Sequence, residues 1–529
     1  MCKAGWLTIW TLAFLPCGVH AQAPAVQWQR CIGGSSGEFG YRVQVAADGG
    51  YVVGGFTMST DGDVTGNHGA RDYWMAKVDA GGDLVWQHCY GGTDIETAYG
   101  LTAMPDGGWV LCGTTQSEDG DAAGCPGQGG NAWAVRTNAL GELTWQTCLG
   151  GSGNDNGASF SDAVATLDGG LVLAGTTSYM DGIGIGNHGS SDFVVVKLDA
   201  AGAMEWSHCY GGSGSEGASA IKPTSDGGYV VTGSAWFNFD GDVTTGQYGG
   251  IWVIKIAADG TLDWNRRMGS AYLTGQNDEV RDVAQTPDGG YLVVGSTSGS
   301  DGDVSGNHGG HDAWLVKLDA GGAVVQQRCF GGTGEDYAYR LASAGLGRYV
   351  LAGYTTASND GDVSGNHGNA DVWVFMVDPD LNLLWQKCLG GTSSELGYGI
   401  ARTADNGTII TGRAQSNDGD VSGVHGSIDA WVVKLGPDPD TGVPEDQDGQ
   451  AFFVYPSPTA GLLNVRLSAP PGVNSTLDVL DITGRVVLHR QVQLGTVTLQ
   501  LSVQSLAEGT YCARLESATE VCTQRFIKH

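Results

Sequence analysis

The segment Val26-Gln27-Trp28-Gln29-Arg30-Cys31 stands near the start of the chain, and close variants of it return as far as Cys388. Its last position recurs at spacings of 58, 59, 61, 58, 62 and 59 residues, at Cys31, Cys89, Cys148, Cys209, Arg267, Cys329 and Cys388. A period of this size is typical of a repeat array. The last unit stops at Asp429 to Leu435 with no such segment after it. The segment at the start therefore predicts a ring in which the two ends of the array complete one unit.

Each unit reads as four short strands. After Cys329, an alternating run at Tyr339 to Ala344 and the apolar run Tyr349 to Gly353 predict a hairpin. A polar loop follows, and then the runs Val372 to Val377 and Leu383 to Cys388. Four strands in one unit without a helical period are typical of a propeller blade. We predict an all-β chain: a seven-bladed β-propeller whose last blade is closed by the N-terminal strand, and a small C-terminal β-sandwich.

Tryptophans recur at two fixed places of the unit, as Trp74 and Trp373 in third strands and Trp86 and Trp385 in fourth strands. An aromatic stripe of this kind suits either a cofactor site or packing. Recurrence at fixed blade positions favours packing between blades.

The chain divides into four parts. Residues 1–21 resemble a secretory signal peptide, with a charged start, an apolar stretch and a small-residue cleavage site. Residues 22–436 form the propeller, residues 437–450 an acidic Pro-rich linker, and residues 451–529 a separate domain of alternating apolar runs. No transmembrane segment is predicted in the mature chain.

The last domain carries short motifs that resemble a known family. They are the Tyr455-Pro456-Ser457-Pro458 run with Gly461, Gly484 in the Asp481 to Arg485 run, Gly509 and Tyr511, and a basic end at Lys528. These motifs resemble the type A C-terminal sorting domain of the type IX secretion system of certain Gram-negative bacteria. The resemblance implies recognition by the type IX machinery and a secreted or outer cell-surface location.

The cysteines fit an exported protein, because an oxidising compartment permits disulfides. The sequence predicts two short bridges, Cys112 with Cys125 and Cys512 with Cys522. The six cysteines of the fourth strands lie in different blades, so we expect them to be unpaired, buried and apolar.

The formal net charge of −31 opposes binding to nucleic acid and to anionic bilayers. The long loops between second and third strands and the links between blades lie on one face of such a ring. The links carry acids at Glu38, Glu96, Asp155, Glu216, Glu279, Glu335 and Glu395. We expect this acidic loop face to hold any binding site.

The long loops repeat an Asp-Gly-Asp motif that suggests calcium. The pairs we single out as calcium ligands are Asp61 with Asp63, Asp301 with Asp303, Asp360 with Asp362, and Asp418 with Asp420. The alternative is an Asx turn, in which the carboxylate accepts bonds from nearby backbone amides. The loops also hold His68, His188, His308, His367 and His425, which suit either a metal or acid-base cluster or a loop-stabilising role.

Symmetry breaks in the fourth unit, where Trp236, Phe237 and Phe239 precede the Asp-Gly-Asp loop. They are the predicted ligand-binding residues, with coverage of a blade edge as the alternative. No catalytic residues are predicted, because no H-E-x-x-H or P-loop motif is present.

The leading hypothesis is a non-enzymatic binding or adhesion module for an extracellular glycan or protein. One alternative is a polysaccharide hydrolase or lyase with an acid pair near the ring axis, for which the adjacent candidates are Asp278 with Glu279 and Glu335 with Asp336. The other is a structural surface repeat protein with calcium-stabilised loops.

Overall fold

We describe the protein from a computed structural model. The residues it describes are 22–125, 130–151, 157–236, 240–244, 250–271, 278–438, 452–455, 462–467, 475–481, 485–492, 498–507, 509–516 and 521–528. The predicted signal peptide and nearly all of the predicted linker lie outside them.

The chain forms seven four-stranded antiparallel sheets, followed by one three-stranded and one further four-stranded sheet. Blade 7 takes its outer strand, β1 (Val26–Ile32), from the start of the chain. The strands of blades 1 to 3 are β2 (Glu38–Val45), β3 (Tyr51–Thr57), β4 (Asp72–Val78), β5 (Leu84–Tyr90), β6 (Glu96–Ala103), β7 (Trp109–Thr115), β8 (Asn131–Thr137), β9 (Leu143–Leu149), β10 (Ala158–Ala165), β11 (Leu171–Thr177), β12 (Asp192–Leu198) and β13 (Met204–Tyr210).

Blades 4 to 7 continue the same order. Their strands are β14 (Ser215–Pro223), β15 (Tyr229–Trp236), β16 (Ile251–Ile256), β17 (Leu262–Met268), β18 (Asp278–Gln285), β19 (Tyr291–Thr297), β20 (Asp312–Leu318), β21 (Val324–Phe330), β22 (Glu335–Ser343), β23 (Tyr349–Thr356), β24 (Ala370–Val377), β25 (Leu383–Leu389), β26 (Leu396–Arg402), β27 (Thr408–Ala414) and β28 (Asp429–Leu435). Two 3₁₀ turns, Gly120–Ala122 and Gly182–Gly184, lie in the long loops of blades 2 and 3.

The ring closes as the sequence predicts. Strand β1 pairs antiparallel with β28, from Val26 opposite Leu435 to Ile32 opposite Ala430. The first strands of consecutive blades contact one another around the whole ring, including β26 with β2. The protein is therefore a seven-bladed β-propeller.

Large aromatic residues fill the spaces between blades. The third-strand tryptophans are at most 1 % exposed, at Trp74, Trp133, Trp252, Trp314, Trp373 and Trp431. Each of the apolar clusters that contain them draws residues from neighbouring blades, as Trp373 does with Leu292 and Leu315 of blade 5. The prediction that the tryptophans pack between blades is confirmed.

The first strand of every blade contains one irregularity. In blade 1 the pairing with β3 shifts between Gly40 and Arg42, so Tyr41 is an extra, bulged residue. The same shift occurs in the first strands of the other six blades. A bulge bends its strand and changes the direction of the extra side chain. The propeller thus presents seven bulged residues close to its axis.

The structure corrects the predicted cysteine pairing. Cys125 is bonded to Cys148, with 5.3 Å between their Cα atoms, and Cys112 is a free, buried thiol. Strand β7 places Cys112 in the interior, whereas Cys125 lies in the loop beside the fourth strand of its own blade. The expectation that all six fourth-strand cysteines are unpaired is wrong for Cys148 and holds for the other five.

The C-terminal domain has two facing sheets. Its strands are β29 (Phe452–Tyr455), β30 (Leu462–Leu467), β31 (Thr476–Leu480), β32 (Val486–Gln491), β33 (Thr498–Ser502), β34 (Gly509–Glu516) and β35 (Val521–Lys528). Residues from both sheets, such as Leu463 and Val479, share one core. This is the small β-sandwich that the sequence predicts. Within the described residues, no helix is long and apolar enough to cross a membrane.

The predicted bridge between Cys512 and Cys522 is also wrong. Strands β34 and β35 pair with Cys512 opposite Arg525 and Cys522 opposite Leu515. Cys512 is a free thiol. The sequence spacing suited a hairpin, but the register offsets the two cysteines by three positions.

Ring closure generates a first prediction. A chain that starts at residue 33 lacks β1 and leaves β28 as an open edge. Loss of the buried Cys31 and Ile32 side chains and of one strand pairing is expected to lower the melting temperature by at least about 5 °C and to cause association. Calorimetry and size-exclusion chromatography measure both effects against a chain that starts at residue 22. An unchanged melting temperature would contradict the closure.

The disulfide generates a second prediction. Peptide mapping without reduction is expected to recover Cys125 joined to Cys148 and Cys112 as a free thiol. Cys125→Ser is expected to lower the free energy of unfolding by about 3 kcal/mol, since the bridge joins cysteines 23 residues apart in sequence and constrains the unfolded chain over that loop. Cys512→Ser is the control and should leave the melting temperature of the propeller unchanged. Recovery of a Cys112 to Cys125 peptide would overturn the assignment.

Candidate functional site

The Asp-Gly-Asp loops fasten each long loop to the link before it. Asp61 Oδ1 accepts a hydrogen bond from Ser35 N at 2.7 Å, and Asp63 N donates to Gly33 O at 2.9 Å. The first aspartate makes the same contact at 2.7 to 2.9 Å in six blades, at Asp61, Asp119, Asp240, Asp301, Asp360 and Asp418. These carboxylates bind backbone amides, the role that the Asx-turn alternative describes.

The calcium sites stay a prediction. Among the residues that the structure describes, no three His, Cys, Asp or Glu side chains come together in an arrangement that could hold a metal ion. Each Asp61-type carboxylate has an amide partner, and each Asp63-type residue is half-buried beside the link.

The loop histidines pair with buried aspartates four residues further on. His68 Nδ1 lies 2.6 Å from Asp72 Oδ2, which also accepts the His68 backbone N–H. The pairs are His68 with Asp72, His188 with Asp192, His308 with Asp312, His367 with Asp371, and His425 with Asp429, all at 2.6 or 2.7 Å. The two blades without the histidine have Asn131 and Gly250 in place of the aspartate. The pairing thus supports the loop-stabilising role.

Four of the seven predicted link acids are buried and so do not add charge to the loop face, which corrects that part of the expectation. Glu38, Glu96, Glu216 and Glu395 are at most 1 % exposed. Glu38 accepts hydrogen bonds from Gly34 N and from the Thr57 hydroxyl. Asp155 lies outside the described residues, and in blades 5 and 6 the buried place belongs to Asp278 and Asp336.

At five junctions the buried link acid faces the aspartate of a His–Asp pair across a glycine, at Gly33, Gly91, Gly211, Gly331 and Gly390. A Cβ added to Gly211 would stand 2.7 Å from both Asp192 Oδ1 and Glu216 Oε2, so the two carboxyls converge on that residue. Burial, together with the charge of Asp192, raises the pKa of Glu216 to about 7 against the hydrogen bond from Gly212 N. Burial also raises the pKa of Asp192. At neutral pH these junctions contain carboxyls that resist full ionisation.

Of the three aromatic residues predicted to bind ligand, Trp236 lies within the described residues. Trp236 ends β15 and is half-buried. Its ring covers Gly250, because a Cβ there would stand 2.6 Å from the indole. Phe237 and Phe239 lie outside the described residues. For Trp236 the contact is that of a residue covering a blade edge.

The adjacent acid pairs do not face each other. Asp278 and Asp336 are buried in the links, whereas Glu279 and Glu335 are partly exposed near the ring axis. Glu279 forms an ion pair with Arg281. Glu335 Oε2 lies 2.7 Å from His311 Nδ1.

The bulged residues form the candidate site. Around the ring from blade 6 through blade 7 and blade 1 to blade 2 they are Tyr339, Tyr398, Tyr41 and Tyr99. Successive ring centroids lie 5.5, 5.1 and 5.9 Å apart. Tyr99 is 38 % exposed, and the other three are half-buried. We call this arc the tyrosine wall.

On the opposite side of the axis, none of the bulged residues is a tyrosine. The bulged residues of blades 3 and 4 are Ser161 and Ser219, and that of blade 5 is Arg281. The Arg281 guanidinium carbon lies 4.8 Å from the centre of the Tyr339 ring. The sevenfold frame thus carries one aromatic side and one small-residue side, which breaks the symmetry at the axis.

More aromatic rings extend the wall toward the loop side. Tyr337 stacks on Tyr354 at 4.8 Å and on His311 at 5.2 Å. In blade 1, Phe39 stacks on Phe56 at 4.6 Å and contacts Tyr41 at 6.2 Å. Aromatic faces bordered by a few polar groups are typical of small-molecule and carbohydrate sites.

A layer of charged side chains lies next to the tyrosine wall along the axis. Lys222 Nζ is 2.7 Å from Asp162 and 3.4 Å from Asp282, so it joins blades 3, 4 and 5. Arg42 of blade 1 donates to Ser161 O of blade 3 at 3.2 Å, and Arg340 lies 3.3 Å from Asp282. These bonds across the axis form a polar floor beneath the aromatic wall.

Two other surface cavities lie apart from this site. One, of about 150 Å³, is on the tight-turn face and is lined by Leu346, Arg348 and Arg402. The other, of about 380 Å³, is an open groove at the rim between blades 3 and 4, beside Ile185 and His208. Neither has an aromatic wall like that at the axis.

The sequence contains the signal for this site, but only after alignment on the bulge. Tyr41, Tyr99, Tyr339 and Tyr398 occupy equivalent places in their units, while Ser161, Ser219 and Arg281 interrupt the series. The sequence predicts binding residues in the long loops and none of the four tyrosines of the first strands. A strand with strict alternation gives no reason to expect the extra residue.

Comparison with known proteins identifies the last domain. Residues 453–529 match the family described as a secretion system C-terminal sorting domain. Tyr455 lies in β29, Gly509, Tyr511 and Lys528 lie in the last hairpin, and Pro456, Pro458, Gly461 and Gly484 lie outside the described residues. The protein carries a type IX sorting domain and is secreted or displayed at the cell surface.

Part of the chain is distantly similar to a curated protein. The chain is 28 % identical over 229 residues to the regulatory protein FlaEY of Caulobacter vibrioides, a match that covers 41 % of this chain and 24 % of that protein. The chain therefore spans about a quarter of the length of this curated relative.

Solved structures resemble the chain weakly. They include a fungal alcohol oxidase of the AA5 family in complex with copper (13 % identity, 96 % of this chain and 100 % of that chain, TM-score 0.42) and puromycin hydrolase (13 %, 85 % and 62 %, 0.45). Another is the α-L-arabinofuranosidase Arb93A of Fusarium graminearum (13 %, 75 % and 93 %, 0.36). At these TM-scores the likenesses carry no argument about activity.

The carboxyl junctions generate a prediction about pH. The folded-state pKa of Glu216, about 7, lies above the ordinary value of 4.5, so the folded protein binds this proton more tightly than the unfolded chain does. Its stabilising effect is present below pH 4.5 and is lost as the pH rises to about 7. Glu216→Gln is therefore expected to match the wild type at pH 4.5 and to exceed it by about 2–3 kcal/mol at pH 8.

Denaturant unfolding at several pH values measures this effect. Glu118→Gln, at an exposed loop position, is the matched control and should leave the pH dependence unchanged. If Glu216→Gln unfolds with the same pH dependence as the wild type, the buried carboxyl is not the titrating group.

Proposed function

We propose that the exported propeller is a non-enzymatic carbohydrate-binding module whose site is the tyrosine wall. The contiguous arc of Tyr339, Tyr398, Tyr41 and Tyr99 carries the proposal. Pyranose rings have apolar C–H faces that pack on aromatic rings, and their hydroxyls require donors and acceptors at the edge of the same surface. The tyrosine hydroxyls, Arg281 and Glu279 supply such groups.

The sorting domain supports this role. A protein that carries it is secreted or displayed at the cell surface, where polysaccharides are abundant ligands. The net charge of −31 disfavours nucleic acid as an alternative polymer. An extracellular protein partner stays the other candidate for the same surface.

Hydrolysis is the second candidate because two acids flank one tyrosine. The Tyr337 hydroxyl donates to Glu335 Oε2 at 3.3 Å, and burial, followed by the charges of Glu335 and Glu279, raises the pKa of Tyr337. A glycosidase needs one carboxyl with a raised pKa as its general acid. Burial raises the pKa of Glu335, but the hydrogen bonds with His311 outweigh burial and leave that pKa below its ordinary value. Glu279 is paired with Arg281. This arrangement favours binding over hydrolysis.

The third alternative, a structural repeat protein with calcium-stabilised loops, needs no site at the axis. Melting the propeller with calcium and with chelator tests it, because an ion that binds only the folded state raises its stability. Because the tyrosine wall suits a ligand, we favour a binding role over a purely structural one.

The proposal predicts the effect of removing one ring. Polysaccharide array screening followed by calorimetry with the best oligosaccharide gives the reference affinity. Tyr99→Ala removes the most exposed ring of the wall and is expected to weaken binding by at least about tenfold, the equivalent of about 1.4 kcal/mol of stacking. Val325→Ala, on the exposed outer strand of blade 5, is the control and should bind like the wild type.

Two results would overturn the proposal. One is equal affinity of Tyr99→Ala and the wild type for every oligosaccharide that binds. The other is steady release of reducing ends from the polysaccharide, abolished by Glu279→Gln or Glu335→Gln, which would make the protein a hydrolase.

A further inference from the structure

We infer that the tyrosine wall recognises an acidic polysaccharide, a chain of uronic acids, and that Arg71 and Arg413 bind its carboxylates. The inference rests on the proposed carbohydrate-binding function and names the substrate class of the same site. It comes from the charges around the wall.

Two arginines enclose the phenylalanine pair of blade 1. The Arg413 guanidinium carbon lies 5.2 Å from the centre of the Phe39 ring, and that of Arg71 lies 4.2 Å from the centre of the Phe56 ring. Phe39 and Phe56 stack on each other at 4.6 Å. The result is a column in the order Arg413, Phe39, Phe56, Arg71, which we call the arginine column.

The guanidinium groups of the column have little competition from protein acids. Within the part of the chain that the structure describes, neither Arg71 nor Arg413 forms an ion pair, and Arg71 donates to the Thr97 hydroxyl at 3.1 Å. The Nε atoms of Arg71 and Arg413 are buried without a hydrogen-bond partner, so a ligand would meet the terminal Nη edge, which stacking through the guanidinium face does not cover. That edge fits the two oxygens of a planar carboxylate.

The column is close to the tyrosine wall, because the centre of the Tyr41 ring lies 6.2 Å from that of Phe39 and 5.7 Å from that of Phe56. Burial raises the pKa of Tyr41, while the positive charges of Arg71 and Arg413 both oppose the shift. Arg413 acts on Tyr398 in the same direction. A sugar ring stacked on Tyr41 would therefore place its substituents within the field of both guanidinium groups.

Among the side chains beside the tyrosine wall, in the arginine column and in the polar floor, cations outnumber acids. The cations are Arg42, Arg71, Lys222, Arg281, Arg340 and Arg413, and the acids are Asp162, Asp282, Glu279 and Glu335. The chain as a whole has a net charge of −31. At physiological ionic strength charges beyond about 8 Å are screened, so the local cations decide which ligand binds. A carboxylate on the ligand can form an ion pair with these guanidinium groups, whereas a neutral glycan cannot.

The test compares hexagalacturonate with the same hexamer after reduction of its carboxyls to primary alcohols, by calorimetry on the full secreted chain in 0.15 M salt. The wild type is expected to bind the acidic hexamer at least tenfold more tightly. Arg71→Gln with Arg413→Gln should bring the ratio of the two affinities to about one while affinity for the reduced hexamer stays the same. Arg413→Lys, which keeps the charge without the two-pronged donor edge, should keep part of the preference.

Arg328→Gln is the matched control. Arg328 also stacks on an aromatic ring, at 4.7 Å from the Phe330 centre, but lies on the outer strand of blade 5. It should leave the preference intact. Equal melting temperatures of the variants exclude a folding defect, and the single variants Arg71→Gln and Arg413→Gln, each expected to lower the preference, replace the double variant if the latter does not fold.

The outcomes distinguish a failure of the acidic-polysaccharide inference from a failure of the proposed carbohydrate-binding function. If the wild type binds both hexamers equally, binds only the reduced one, binds neither, or keeps its preference in the double variant, the inference is wrong. If Tyr99→Ala still weakens binding of a neutral oligosaccharide in those cases, the proposed carbohydrate function stands. If the arginine variants lose the preference while Tyr99→Ala changes nothing, the anion site stands and the tyrosine wall does not.

Discussion

Closure of the ring by β1 against β28 is the constraint on which the rest of the structure depends. An antiparallel array of blades has two unpaired edges until the first and last strands meet. Once they meet, the first strand of every blade is held beside the axis, and its neighbours are fixed on both sides. A side chain that bulges from a first strand then has a defined position relative to six others. The tyrosine wall exists because four of those positions hold tyrosine in consecutive blades.

The joints between blades are built from groups that are costly to bury. A His–Asp pair from one blade and a link acid from the next meet at a glycine, as His188, Asp192 and Glu216 do at Gly211. Burying carboxyls together raises their pKa, so the joint trades stability at neutral pH for a fixed geometry. The glycine is required because any side chain there would strike both carboxyls. The repeated Gly-Gly of the sequence is thus a feature of blade packing.

Much of the fold was predictable from the sequence. The spacing of Trp-Gln-x-Cys segments gave the number of blades, the unfinished unit before residue 436 gave the closure, and the tryptophans gave the packing. The wrong predictions concern residues whose exposure or pairing is decided by their position in the fold and cannot be read from the neighbouring sequence. Link acids such as Glu38 look exposed in a polar loop but are buried under it. Cys112 and Cys125 are close in sequence, yet the strand direction puts Cys148 beside Cys125. The sequence does not predict the tyrosine wall, because a bulge changes which residues face the axis, and a binding role for Trp236 stays a prediction.

A crystal structure of the secreted protein soaked with an oligosaccharide that binds it is the most direct measurement of the central claim, that the axis is the ligand site. The account predicts density for sugar rings stacked on Tyr41 and Tyr99 on the loop side of the polar floor. Density in the rim groove beside Ile185 and His208, or at the loop after Trp236, with nothing at the axis, would contradict it.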